Sequence, residues 1–181
     1  LRHAGHALTL EREALAAALP AASGRLAVLV HGLCMNDLQW QRDGHDHGAA
    51  LARDLGYTPV YLRYNSGLHV SINGRAFAQQ LARLIEAWPQ PLQRVVVIGH
   101  SMGGLVTRSA LHYATQAQQP WVPRLDDLFF LGTPLSLRPS ADPCVRRCFR
   151  PRLRLSSLQR PCLVRFLAVF ARTLASCTQT A

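Results

Sequence analysis

The sequence has no lysine, few aromatic residues and no long apolar run. All twenty basic residues are arginine, while 17% of the residues are charged, 7% are aromatic and 49% are apolar. No eighteen consecutive residues are apolar and no charged-then-apolar leader opens the chain, which argues against a membrane-spanning helix and a signal peptide. The composition is typical of one soluble globular domain and favours a cytoplasmic location.

Cysteine is also scarce, and the chain's five cysteines do not form the pattern of a disulfide framework. Cys144 and Cys148 have neither a neighbouring histidine nor a second cysteine pair, so they do not predict a zinc site. His45, Asp46 and His47 resemble a metal-ligand cluster only superficially, because adjacent residues at the start of a helix point in different directions. We expect helix capping and solvent contact there, and the sequence predicts no metal and no cofactor.

Glycine and histidine are missing from the C-terminal part of the chain. All twelve glycines lie within the first 134 residues, and residues 135–181 also lack glutamate, tryptophan, tyrosine, asparagine and isoleucine. Nine arginines face the single Asp142 there, so this region carries most of the net charge of +10. The break predicts a folded domain over residues 1–134 and an atypical basic tail over residues 135–181. We interpret the tail as an altered reading frame or other gene truncation, or as a partly helical segment.

Apolar stretches with the character of buried strands alternate with helical patterns in the first region. The predicted strands are Leu26–Val30, Thr58–Leu62, Arg94–Ile98 and Leu128–Leu131. The predicted helices are Leu8–Leu19, Gly48–Leu55, Ile72–Trp88 and Gly103–Gln116. Strands that recur about every thirty residues with a helix between them form βαβ units. The order therefore predicts an α/β fold with a mainly parallel sheet, right-handed crossovers and helices on both faces.

Residues 99–103 read Gly-His-Ser-Met-Gly and lie between a predicted strand and a predicted helix. The G-x-S-x-G pattern places a serine nucleophile, here Ser101, on a sharp turn where Gly99 and Gly103 let the backbones pass closely. A second predicted strand ends in His31-Gly32-Leu33. Because acyl transfer needs two backbone N–H groups to hold an oxyanion, the amides of Leu33 and Met102 are the predicted donors.

These motifs resemble those of α/β-hydrolases, in particular bacterial lipases and esterases with His-Gly-Leu before the nucleophile and Gly-His-Ser-Met-Gly-Gly around it. Further stretches that resemble one branch are Met35-Asn36-Asp37, Tyr61-Leu62-Arg63-Tyr64-Asn65-Ser66-Gly67 and Leu131-Gly132-Thr133-Pro134. The resemblance covers Leu26–Pro134 and implies a partial α/β-hydrolase fold with Ser101 as nucleophile. It also implies that His31 braces the loop with Gly32 and that His100 is the variable residue of the elbow.

Such hydrolases also need an acid and then a histidine after the serine. The only histidine after Ser101 is His112, about 16 Å away along the predicted helix, whereas a general base must come within about 3 Å of the hydroxyl or act through one water. Asp126 and Asp127 precede the last predicted strand at its amino end, opposite the catalytic edge. Asp142 is a weak candidate acid without a histidine to orient. The sequence therefore identifies no base.

Residues close to the predicted loops have two open interpretations. Asn36, Asp37 and Trp40 either shape the mouth of a substrate site or form an Asx turn that closes the loop. Three residues at the end of the second strand are predicted to pack there, with substrate contact as the less favoured alternative: Tyr61, Arg63 and Tyr64.

The sequence thus predicts a serine carboxylic-ester hydrolase that acts on a small-molecule or lipid ester and is impaired by the missing histidine. The alternative is a non-catalytic α/β-hydrolase-like binding module whose basic tail associates with phosphate or a membrane surface. The tail residues in question are Arg146, Arg147, Phe149, Arg150, Arg152, Arg154 and the apolar stretch Cys162–Leu174. No folded nucleic-acid-binding motif is present, so no specific nucleic-acid partner is predicted.

Overall fold

The structure is a computed structural model that describes residues 1–42 and 44–133, with only the main chain of Arg42. Asp142 and the predicted basic tail lie outside the described residues. The strands are β1 (Arg2–His3), β2 (His6–Ala7), β3 (Arg25–Val30), β4 (Gln41–Arg42), β5 (His45–Asp46), β6 (Thr58–Leu62), β7 (Arg94–His100) and β8 (Leu125–Leu131). The helices are α1 (Arg12–Ala18), α2 (His47–Leu55), α3 (Val70–Glu86) and α4 (Met102–Gln116), with short 3-10 helices at Asp37–Trp40 and Val122–Arg124.

Six strands form the central sheet, in the order β2-β1-β6-β3-β7-β8. The four strands β6, β3, β7 and β8 are parallel, with Val28 of β3 paired to Val60 on one side and to Val97 on the other. The hairpin β1–β2 adds to the outer edge of β6 in antiparallel orientation. The predicted parallel sheet is confirmed. The sequence analysis did not predict the N-terminal hairpin, because strands of two residues are too short to show an apolar pattern.

Helices cover both faces of the sheet, as predicted. On one face, Val28 and Val30 pack with residues of α1, α3 and α4. On the other face, Ala27 and Leu29 pack with Leu51 of α2. Successive side chains of a strand point to opposite faces, so β3 is apolar along its whole length because both of its faces are buried.

Several predicted element boundaries are wrong by a few residues. Helix α1 begins at Arg12 rather than Leu8, because the Leu8 N–H donates to the Leu1 carbonyl at 2.9 Å and closes the N-terminal hairpin. Helix α3 spans Val70–Glu86 rather than Ile72–Trp88. Strand β8 begins at Leu125, three residues earlier than predicted. None of the helices in the described part of the chain combines the length and apolarity needed to span a bilayer.

Candidate active site

Ser101 lies in the bend between β7 and α4. Its φ of 51° and ψ of −122° are unusual for a residue other than glycine, and such a conformation costs about 1–3 kcal/mol. Main-chain hydrogen bonds hold the bend, since Ser101 N donates to Leu131 O at 2.8 Å and Gly104 N donates to Ser101 O at 3.1 Å. The surrounding structure thus maintains a strained conformation at the carboxyl end of β7 and leaves Ser101 partly exposed.

The two glycines of the motif lie where a side chain does not fit. A Cβ on Gly99 would lie 2.6 Å from Gly104 Cα, and a Cβ on Gly103 would lie 2.3 Å from Val30 O. Both neighbours are main-chain atoms, which cannot move aside as a flexible side chain would. The spacing of the motif therefore follows from close backbone contacts on both sides of Ser101.

The loop after β3 borders Ser101. A methyl group on Gly32 would lie 3.2 Å from Ser101 Cβ and 3.1 Å from His100 Nδ1, so the main chain just before Leu33 runs beside the bend. Met102 is the first residue of α4, and its N–H is one of those that a helix leaves without an internal acceptor. The two predicted donors, Leu33 and Met102, lie on the two main-chain segments that meet at Ser101.

His31 is buried inside this loop. Its Nδ1 donates to Gly32 O at 2.9 Å, its Nε2 accepts a hydrogen bond from Tyr64 N at 3.4 Å, and its ring stacks on the Tyr64 ring at 4.3 Å. Burial lowers the pKa of His31, so the imidazole is neutral at pH 7. Both ring nitrogens of His31 make hydrogen bonds to the main chain of the two loops. This arrangement agrees with the bracing role that the resemblance implies.

The sequence of the chain matches the model of one protein family over most of its length. The model of the PGAP1-like alpha/beta domain matches residues 21–150, well over half of the chain. The chain belongs to the PGAP1-like alpha/beta domain family. The predicted α/β-hydrolase fold is confirmed by this membership and by the parallel sheet. The matched range continues past Pro134, and the domain boundary placed there stays a prediction.

Two solved structures are similar to this PGAP1-like domain. The mature form of lipase BlEst2 from Bacillus licheniformis is 23% identical with a TM-score of 0.49, and the match covers 64% of this chain and 42% of that one. A lipase-esterase related protein from Clostridium acetobutylicum is 18% identical with a TM-score of 0.39, and the match covers 62% of this chain and 43% of that one. The chain spans less than half the length of either structure. No curated protein matches it in sequence.

His100 is the last residue of β7 and directly precedes Ser101. Its ring meets the ring of Trp40 edge-on at 6.3 Å, and burial lowers its pKa. The Nδ1 atom of His100 is buried and has no hydrogen-bond partner among the residues that the structure describes. The His100 side chain is therefore held beside the bend by packing against Trp40 and not by a hydrogen bond from Nδ1 to any described residue.

In this chain, Asn36 and Asp37 hold the C-terminal part of the loop after β3 in place. Asn36 Oδ1 accepts from Leu38 N at 2.9 Å, which is the Asx turn that the sequence left as one alternative. The carboxylate of Asp37 is buried and lies 3.0 Å from Arg2 Nε and 3.6 Å from Arg63 Nε. The contribution of Arg2 was missed, because no local pattern links the N-terminal hairpin to a residue so far along the chain.

The predicted capping before α2 is confirmed. Asp46 Oδ1 accepts from Ala49 N at 2.9 Å and from the Tyr61 hydroxyl at 2.8 Å. Burial opposes ionisation of Asp46, yet the hydrogen bonds that it accepts hold its pKa below the usual value. His47 Nδ1 donates to Trp40 O at 2.8 Å, and burial lowers the pKa of His47. Tyr61 packs at the strand end, as predicted.

The carboxylates that follow Ser101 within the described residues lie at the far edge of the sheet. Asp126 Oδ2 accepts from Val95 N at 2.7 Å, and Asp127 pairs with Arg94 at 2.8 Å. Both lie inside β8 rather than before it, but still at its amino end. His112 lies in the third turn of α4, with its ring against Tyr113. Among the described residues that follow Ser101, no acid and no histidine thus lies beside it.

Proposed function

We propose that this chain is a serine carboxylic-ester hydrolase domain in which Ser101 is the nucleophile. The observation that carries the proposal is the strained Ser101, with a φ of 51°, set directly against the main chain of Gly32. Strain of this kind persists where the surrounding structure imposes it, and it is typical of catalytic turns.

In the proposed reaction, Ser101 Oγ attacks the ester carbonyl carbon and gives up its proton to a water molecule, since no later histidine in the described part of the chain lies beside it. The carbonyl oxygen becomes an oxyanion, which the N–H groups of Leu33 and Met102 stabilise. The C–O bond to the alcohol then breaks, and the alcohol leaves with a proton that water returns. Water hydrolyses the resulting acyl-enzyme and releases the acid, so no cofactor is required.

The proposal includes low activity for this chain on its own. Within these 181 residues only His112 follows Ser101, and its place on α4 keeps it away from the hydroxyl. Loss of the base in serine proteases costs on the order of 10⁴ to 10⁶ in rate. We expect a similar deficit relative to an intact relative.

The proposed substrate is a small-molecule or lipid ester with an apolar acyl group. Four large apolar side chains are exposed among the described residues, and all four lie between β3 and β4, in the loop after β6 or at the start of α3: Leu33, Leu38, Leu68 and Ile72. Cys34 N donates to Ser66 Oγ at 3.2 Å, which joins the loop after β6 to the loop after β3. Apolar side chains exposed at the same end of the sheet as the nucleophile favour an apolar substrate group.

The test is covalent labelling of the purified chain with a fluorophosphonate, combined with hydrolysis of a short-chain p-nitrophenyl ester. We expect slow labelling at Ser101 and slow turnover, both lost in Ser101→Ala and both kept in Ser109→Ala, a serine of α4 further along the helix. Equal labelling of Ser101→Ala would contradict the nucleophile assignment. Turnover near the rate of an intact lipase would contradict the proposed impairment.

A further inference from the structure

The loop after β6 contacts the loop after β3 next to its predicted oxyanion donor. The Tyr64 hydroxyl donates to His31 O at 2.8 Å, and the Tyr64 ring stacks on the His31 ring with an angle of 15° between the planes. Burial raises the pKa of Tyr64 to about 12, so the hydroxyl keeps its proton and remains a donor at neutral pH. The main chain two residues before Leu33 is therefore fixed from this side.

A second hydroxyl fixes the main chain on the other side of Leu33. Ser66 Oγ accepts from Cys34 N at 3.2 Å. Cys34 has a φ of 55°, a conformation that a residue other than glycine seldom adopts without support. Leu33 thus lies between two main-chain groups, His31 O and Cys34 N, that are both held by hydroxyls from residues 64–66.

An ion pair joins the same two loops further along. The side chain of Asp37 is only 3% exposed, and Arg63 Nε, at the start of the loop after β6, lies 3.6 Å from its carboxylate. Together with Tyr64 and Ser66, this gives three contacts along residues 31–37. Arg63, Tyr64 and Ser66, which make these contacts, all belong to the stretch Tyr61–Gly67 on which the resemblance partly rests.

We propose that Tyr64 and Ser66 are positioning residues for the oxyanion hole, because their hydroxyls fix the main chain on both sides of Leu33 and hold its N–H beside Ser101. This inference rests on the proposed function. Oxyanion donors act through preorganisation, and a displacement of about 1 Å in an active site can cost about 10²-fold in rate. Neither residue needs to touch the substrate.

The variants Tyr64→Phe and Ser66→Ala test the proposal, since Phe keeps the ring stacking and Ala removes only the hydroxyl. We expect each to lower kcat and the fluorophosphonate labelling rate about tenfold, the loss expected for one net hydrogen bond, with little change in KM. Ser66→Thr, which keeps the hydroxyl, should stay near the unsubstituted chain. In hydrogen exchange, residues 31–36 should lose protection in Ser66→Ala but not in Ser66→Thr.

Two matched controls separate positioning from general stability. Ser23→Ala removes a hydroxyl that accepts from Arg25 N at 3.1 Å at the opposite edge of the sheet, and Tyr113→Phe removes a hydroxyl on α4. Both should keep the labelling rate, even where the melting temperature falls. Labelling of Tyr64→Phe and Ser66→Ala at the unsubstituted rate would overturn this inference alone. An unsubstituted chain that labels no better than Ser101→Ala would overturn the proposed function and this inference with it.

Discussion

The central sheet has an amino edge, where its parallel strands begin, and a carboxyl edge, where they end. The two edges differ in the geometry of their polar groups and in the exposure of their apolar side chains. At the amino edge, Asp127 pairs with Arg94 at 2.8 Å, and the buried Trp88 donates from Nε1 to Ser23 O at 3.0 Å. At the carboxyl edge, Ser101 adopts a strained conformation that hydrogen bonds must maintain. The buried Nε1 group of Trp88 thus has a hydrogen-bond partner, as most buried polar groups do.

Large apolar side chains are also exposed at the carboxyl edge, whereas the large apolar Trp88 is buried at the amino edge. Leu33 is 56% exposed and Leu68 is 45% exposed, whereas Trp88 at the amino edge is 1% exposed. Strain and exposed apolar surface both lower stability, so a fold keeps them where a function needs them. Among the described residues, the large exposed apolar side chains thus lie at the same end of the sheet as Ser101.

Among the variants that compare the two edges, Gly103→Ala at the carboxyl edge should lower the free energy of unfolding the most. The added methyl would lie 2.3 Å from Val30 O, a main-chain atom, so β3 or α4 must shift and the elbow must open. We expect the free energy of unfolding to fall by about 3 kcal/mol and labelling at Ser101 to disappear. Gly5→Ala is the control, because a methyl at Gly5 meets nothing within 4 Å and costs only the positive φ, about 1 kcal/mol. Urea unfolding measures both, and equal losses would contradict the steric explanation.

Next in size is a comparison of one carboxylate from each edge. Asp37→Asn removes a charge that is 3% exposed and that faces Arg2 and Arg63, so we expect a loss of about 2 kcal/mol. Asp127→Asn removes a charge that is 38% exposed and already screened by water, so we expect a loss below about 1 kcal/mol. Chemical denaturation of both variants measures the difference. If Asp127→Asn proved the more destabilising, the carboxyl edge would not depend on its buried ion pair as we describe.

A smaller effect should appear in the pH dependence of stability. Burial lowers the pKa of His31, His47 and His100, all at the carboxyl edge, below the ordinary value of 6.5. As pH falls below about 6.5, the unfolded chain takes up protons that the folded domain does not, so the free energy of unfolding decreases. Urea unfolding between pH 8 and pH 5 measures this slope. His100→Gln should make it shallower, and an unchanged slope would show that His100 does not contribute.

Most of the central sheet and the elbow were predictable because their signals are local. A strand buried on both faces, such as Val95–Ile98, is a continuous apolar run, and a sharp turn needs glycine at fixed spacing from Ser101. The close contact of Gly103 with Val30 O gives that spacing a steric cause. Features of this kind are encoded within a few residues, so they can be read from the sequence.

The contacts that support the loop after β3 could not be predicted, because they join residues far apart in the chain. Arg2 and Asp37 belong to separate elements, and Cys34 and Ser66 belong to different loops. Each of these residues taken alone looks like an ordinary surface residue. The pairing depends on the sheet order, which places β1 and β3 on either side of β6.

The smallest expected effect concerns the exposed apolar side chains and acts on selectivity rather than on stability. Leu68→Ser changes a side chain that is 45% exposed, so the free energy of unfolding should change by less than about 0.5 kcal/mol. We expect Leu68 to contact the acyl group, so KM for p-nitrophenyl octanoate should rise about fourfold, the effect of losing one buried methylene at about 0.8 kcal/mol. KM for the acetate ester should stay the same, since acetate is too short to reach that side chain. Equal changes for both esters would mean that Leu68 affects the fold of the loop and not the recognition of the acyl chain.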